Sequence, residues 1–170
     1  MTNKQLNLEN IDKIENLVYE PLNKKYLKVQ YLRIILIYLV LMILALLLYV
    51  IDDLRYINYI VLGTECILAL AFIVNLLLIP KAYKYKGFAI REYDISYRSG
   101  IIFPTVTTIP FRKVQQVNVR QNPFARLFGL YAIDVVNASQ LLNMTSISGL
   151  TENRANDIKS LIMERIKNEL

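Results

Sequence analysis

Two long apolar runs, Ile34–Ile51 and Tyr59–Ile79, stand close together in the first half of this chain and constrain its fold more than any other feature. The first has 18 residues and no charge; the second has 21 residues and one acidic side chain, Glu65. At about 1.5 Å of rise per helical residue, each covers a hydrocarbon core of about 30 Å, the first with little to spare. The core helix of a soluble domain rarely needs so long a run without a polar face. A cleaved leader fits worse, because the first run begins after more than thirty residues and no small-residue cleavage site follows it. Tyr31, Tyr49, Tyr56 and Tyr59 fall near the ends of the runs, where an aromatic ring with a polar tip suits a membrane–water boundary. The expectation is a transmembrane hairpin over residues 34–79, preceded by an arm (1–33) and followed by a separate domain (80–170).

The charges give this hairpin a direction. Lys24, Lys25, Lys28 and Arg33 precede the first run, and Lys81, Lys84, Lys86 and Arg91 follow the second. The connection Asp52–Asn58 holds one basic residue, Arg55, and two acidic ones. Lys and Arg close to span ends mark the cytoplasmic side, so both termini are expected in the cytoplasm of a bacterial plasma membrane. The net charge is +6, and the segment from Lys81 onward carries all of it, with thirteen basic and seven acidic residues. Such an excess beside a membrane suits anionic lipid headgroups, and no aromatic–basic pattern for nucleic acid accompanies it.

Several chemistries are disfavoured by composition. The chain has no histidine and one cysteine, Cys66, which lies inside the second run. The commonest general base and the commonest metal ligand are therefore missing, and no internal disulfide can form. No phosphate-binding loop, nucleophile elbow or pair of carboxylates at helical spacing occurs in the domain that follows the spans. The expectation is a protein that is not an enzyme and needs no cofactor or metal.

In the arm, Leu8, Ile11, Ile14, Leu17 and Val18 follow a short amphipathic helical pattern that Pro21 ends. After the second run the periodicity becomes strand-like. The stretches Tyr83–Arg91, Ile95–Ser99, Ile101–Ile109, Val114–Arg120, Tyr131–Val136 and Leu142–Ile147 read as strands. Ile95, Tyr97, Ile101, Phe103 and Ile109 share odd positions and predict one apolar face; Val114 and Val117 break that parity and predict a bulge at Gln115-Gln116. Asn122–Gly129 reads as a short helix capped by Asn122, with Phe124, Leu127 and Phe128 as anchors and Gly129 as its left-handed exit. Thr151–Lys167 reads as an amphipathic helix with Thr151 as N-cap. The fold class expected is a membrane hairpin followed by a mainly-β domain, a bent antiparallel sheet or open barrel capped by a C-terminal helix.

The segments Tyr83–Gly100 and Ile109–Gly129, with Ile147-Ser148-Gly149-Leu150 ahead of the last helix, resemble the bacterial pleckstrin-homology (PH)-like domains of the YdbS-like membrane proteins. The layout of arm, two spans and one domain is similar too. The resemblance implies a PH-like fold and a binding or assembly role. The implied partner is a membrane protein, such as a larger one with repeated PH-like domains, or a second copy of the chain. It does not carry over an inositol-phosphate pocket, because the turn Arg91-Glu92-Tyr93-Asp94 is short and mixed in charge.

The candidate contacts follow. Lys81, Lys84, Lys86, Arg112 and Lys113 are candidates for anionic lipid, each basic group near such a surface contributing about 1 kcal/mol. Glu65 is the candidate for an intramembrane contact, since an acidic group in hydrocarbon normally faces a partner or a water-filled space. The competing class is a subunit of a small transporter or channel, acting through the spans with Glu65 as its key group.

Overall fold

The computed structural model describes residues 17–51, 56–137 and 144–168. Most of the amphipathic strip Leu8–Val18 therefore lies outside the described residues, as do Leu142 and Asn143 at the start of the sixth expected strand. Two helices carry the apolar runs: α1, Lys25–Ile51, and α2, Ile57–Tyr85. Only 11% of residues in the most apolar stretch of α1, and 6% in that of α2, are buried. They are thus not core helices of a soluble domain, and both are long and apolar enough to cross a membrane. At 27 and 29 residues they exceed the apolar runs, so each leaves turns of helix beyond the hydrocarbon-length part.

Among the described residues, seven strands make two antiparallel sheets. The first runs β1 (Glu20–Pro21), β2 (Gly87–Ile90), β3 (Asp94–Ser99) and β4 (Thr105–Pro110) in that order. The second runs β5 (Val114–Arg120), β6 (Tyr131–Asn137) and β7 (Met144–Leu150). A 3₁₀ turn, Phe111–Lys113, joins the sheets, a short helix α3 (Pro123–Arg126) interrupts β5 and β6, and α4 (Glu152–Asn168) follows β7. The core lies between the sheets and α4. Phe88, Ile95, Ile109, Phe111, Ile133, Val135 and Ile147 meet Ala155, Ile158 and Ile162 of α4 there. The apolar face of this helix turns inward, with Leu161 and Ile166 partly buried beside those three, and Thr151 caps it as expected, accepting from the Arg154 and Ala155 amides.

A two-residue strand ties both sides of the hairpin together. Glu20 pairs with Phe88 and Pro21 with Gly87, so β1, which precedes α1, is the neighbour of β2, which follows α2. Leu22, immediately before α1, is 3% exposed and belongs to the domain core. The two apolar helices are thus an insertion in the connection between the first two strands. Gly87 makes this approach possible, since a Cβ there would lie 3.0 Å from the Tyr19 Cβ and 3.1 Å from the Glu20 carbonyl oxygen.

Four local readings differ from the structure. Tyr83–Tyr85 are helical rather than extended, because a formed helix extends at little cost and Tyr83 gains a 2.6 Å hydrogen bond to the Leu22 carbonyl. Residues 101–104 are a loop, not the start of a strand. Gly100 turns the chain with φ +83°, Phe103 leaves the expected apolar face for solvent, and Ile102 beside it is exposed too. Asn122 does not cap α3; its Oδ1 accepts from Arg120 Nη1 at 2.8 Å. Leu127 is exposed, and Leu130 provides the buried anchor instead. The expected bulge is present as a register shift between Val114 and Gln116, and Gly129 takes the left-handed exit with φ +64°.

Leu22→Ala removes a core side chain supplied from ahead of the hairpin. It should destabilise the domain by about 2–5 kcal/mol, as Ile158→Ala in α4 should. Thermal unfolding of both variants in detergent, followed by circular dichroism of the sheet, checks this; a silent Leu22→Ala would place the residue outside the folding unit.

Candidate membrane-facing site

The base of the hairpin is a stalk made by the first turns of α1 and the last turns of α2. Asn23 starts α1 by accepting the Lys25 amide on its Oδ1 at 2.9 Å, and the Asn23 amide donates to the Gly149 carbonyl at 2.9 Å. Gly149 has φ +84°, and a Cβ on it would meet the Tyr26 ring 2.7 Å away, so α1 rests directly on β7. On the other foot, the Arg98 guanidinium lies over the rings of both Tyr19 and Tyr85, 4.3 and 4.7 Å from their centroids, and donates to the Tyr85 carbonyl at 2.9 Å. The Lys86 ammonium lies 5.5 Å from the Tyr26 centroid. Arg154 of α4 forms a two-pronged ion pair with Glu20 of β1, which holds the Arg154 pKa above its ordinary value, the hydrogen bond to Glu20 being the main cause. The stalk and domain therefore meet through hydrogen bonds, stacked cations and core packing rather than through a free linker.

Tyr97 of β3 packs against the same region. Burial, with a smaller effect from Tyr26, pushes its phenol up from 10.0 to about 12. The folded state thus holds that proton more tightly than the unfolded chain. Its contribution to stability is complete below pH 10 and is lost as pH rises through about 12.

A cavity of about 540 Å³ opens between the stalk, α3 and the outward face of β6 and β7. Tyr26, Gln30 and Arg33 line it from α1, and Arg120, Ser146 and Ser148 from the second sheet. Arg120 is committed on three sides. It pairs with Asp134 and donates to Asn122 Oδ1 at 2.8 Å and Ser146 Oγ at 3.3 Å. Asp134 is 3% exposed, and its Oδ1 has no hydrogen-bond partner among the described residues, so Arg120 is the counter-charge that makes its burial tolerable. No single segment showed this cavity, because its walls come from stretches about a hundred residues apart. Gly149, a glycine at the end of an apolar strand, was the one local signal.

The candidate lipid contacts are placed at two ends of the domain. Lys81 and Lys84 are exposed on the last turns of α2, and Lys86 closes that helix. With Lys24, Lys25, Lys28 and Arg33 of the first foot they form a basic collar; residues 22–33 and 80–90 include no acidic side chain. Arg112 and Lys113 are exposed but follow β4 at the end of the sheet opposite the hairpin, beside Tyr93 and Asp94. The structure does not bring them to the collar. The turn at Arg91–Asp94, closed by a two-pronged ion pair (2.6 and 2.8 Å), joins β2 to β3 at that far end. The connection between the first two strands is the hairpin itself.

Within the hairpin, Asn75 Nδ2 donates to the Tyr38 hydroxyl at 2.8 Å and to the Ala71 carbonyl at 3.0 Å, and the Tyr38 and Phe72 rings lie 5.2 Å apart. These polar groups satisfy one another. The Glu65 Oε1 is buried and has no hydrogen-bond partner among the described residues.

Three variants check the electrostatics. Arg120→Met should cost about 3 kcal/mol, the low end for a broken buried pair because water reaches Arg120, and Asp134→Leu in the same chain should recover most of it. In an alkaline stability titration, wild type should lose stability between pH 10 and 12, and Tyr97→Phe should flatten that loss.

No curated protein and no solved structure matches the chain. The profile of the family described as Bacterial PH domain matches residues 22–166, a span that runs from Leu22 through both apolar helices, β2 to β7 and nearly all of α4, with β1 just ahead of it. By that match, with its two antiparallel sheets and C-terminal helix, the chain belongs to the bacterial PH domain family.

Proposed function

We propose that this chain is a membrane-anchored binding and assembly module that holds a PH-like domain against the cytoplasmic face of a bacterial plasma membrane. One observation carries the reading: the hairpin is inserted between β1 and β2 of the domain's own sheet, so the domain is seated on the two helices in one orientation. PH-like domains are generally non-catalytic binding modules, which fits a scaffold role. The basic collar supports cytoplasmic placement of both feet and favourable contact with anionic headgroups, Lys81 and Lys84 being the exposed members on α2. Arg112 and Lys113, at the opposite end of the domain, are available to a protein partner instead.

The partner is a second membrane protein or a second copy of the chain, and Glu65 is the contact proposed within the bilayer. A buried carboxyl oxygen without a partner is costly in hydrocarbon, and a hydrogen bond from a neighbouring helix removes that cost. The same observation supports a second reading, in which Glu65 serves ion or solute movement through a small transporter or channel complex. Glu65→Gln and Glu65→Leu separate the two. For assembly, the complex isolated in mild detergent should survive Glu65→Gln and weaken by about 1 kcal/mol with Glu65→Leu. For transport, Glu65→Gln should abolish flux in vesicles while the complex persists. Native mass spectrometry of the full-length protein decides whether there is a complex at all; a lone monomer unaffected by Glu65→Leu would end the assembly reading.

A further inference from the structure

The first sheet is an antiparallel series, so its connections alternate between two ends. The β1–β2 connection is the hairpin, the β2–β3 turn lies at the opposite end, and the β3–β4 loop returns to the end from which the helices leave. The pairing places that loop closely. Gly87 pairs with Arg98, whose side chain binds the Tyr85 carbonyl, and Ser99 pairs with Thr105. Gly100–Pro104 therefore starts beside the last turn of α2 and projects beyond it. Lys81 precedes Tyr85 by about 6 Å of helix, and a loop of this length reaches roughly 7 Å past the last strand pair. The loop thus reaches toward the level of Lys81, on the side of the domain from which α2 leaves.

The tip is also apolar. Gly100-Ile101-Ile102-Phe103-Pro104 has no charge, and Ile102 and Phe103 are 71% and 83% exposed. Phe103 is the most exposed phenylalanine or isoleucine among the described residues. The conformation is held rather than loose, since a Cβ on Gly100 would lie 2.2 Å from the Phe103 carbonyl oxygen and its φ of +83° suits glycine. The loop therefore presents two large apolar side chains beside a basic collar, at the end of the domain where the membrane would be.

We propose that the β3–β4 loop dips Ile102 and Phe103 into the headgroup–acyl boundary of the same leaflet that the hairpin enters. The occupant is the lipid surface, chosen by position and by charge complementarity: Lys81 and Lys84 favour anionic headgroups while the apolar tip favours the acyl boundary. This rests on the reading of the helices as a membrane hairpin. It adds a third point of contact, so the domain is fixed against tilting about its stalk.

The absence of tryptophan from the chain makes a direct test possible. Single tryptophans are placed by Phe103→Trp at the tip, Tyr93→Trp at the far end and Ile67→Trp in the apolar part of α2, all at exposed positions. Each full-length variant is reconstituted into phosphatidylethanolamine–phosphatidylglycerol vesicles containing lipid brominated near the top of its acyl chains. Phe103→Trp should emit at shorter wavelength than Tyr93→Trp and be quenched by the brominated lipid, as Ile67→Trp should be, while Tyr93→Trp stays unquenched. If Ile67→Trp is quenched and Phe103→Trp is not, the loop does not enter the bilayer and the proposal fails while the hairpin stands; the tip is then free for a protein partner. If neither is quenched, the hairpin reading falls as well, and the proposal with it.

Discussion

The ladder between β1 and β2 is the constraint from which the rest of the architecture follows. Two adjacent strands lie about 4.8 Å apart, and two packed helices have axes about 8–10 Å apart. A hairpin rooted in neighbouring strands must therefore bring its helices together from the first turn. The contacts of Tyr38 with Asn75 and Phe72 show the same antiparallel register carried into the apolar part. Both runs are helical throughout, although α2 contains Pro80, and a helix meets the demand that hydrocarbon would make, an internal partner for every backbone amide. The turns beyond the apolar parts then form a stalk that reaches the domain without an intervening linker.

Electrostatics at this junction separates two kinds of cation. Arg98, Arg120 and Arg154 are committed to structure: one lies over two tyrosines, one neutralises a buried aspartate, and one clamps the edge strand to the last helix. The lysines of the collar are mostly exposed and remain available to a charged surface. The division follows side-chain chemistry. A planar guanidinium can stack and hold a carboxylate with two bonds at once, whereas an ammonium on a flexible stem keeps its hydration.

The large features were legible because they rest on local patterns. Run length and charge revealed the two membrane-length helices, the amphipathic stripe Ala155–Ile166 revealed the C-terminal helix, and a single break in parity after Val114 revealed the bulge. What escaped was non-local. A two-residue strand has no periodicity, and nothing in Glu20-Pro21 announces that its partner lies beyond two long helices. The loop at Ile101–Pro104 looked like strand because Ile101 and Ile102 are β-branched and Phe103 is aromatic, yet Gly100 and the pairing of Ser99 with Thr105 exclude them from the ladder. Arg112 and Lys113 share a charge with the collar but not a location, and only the order of strands separates them.

The insertion has a consequence for biogenesis. A ribosome releases β1 before either helix and β2 after both, so the sheet stays incomplete until the whole hairpin has emerged. A chain that crossed the bilayer once would strand the two partners in separate compartments, and the domain could not close. Completion of the fold is thereby a built-in check on topology: only a chain whose second helix returns to the side that the first left can pair β1 with β2, and any other leaves the edge of β2 unpaired.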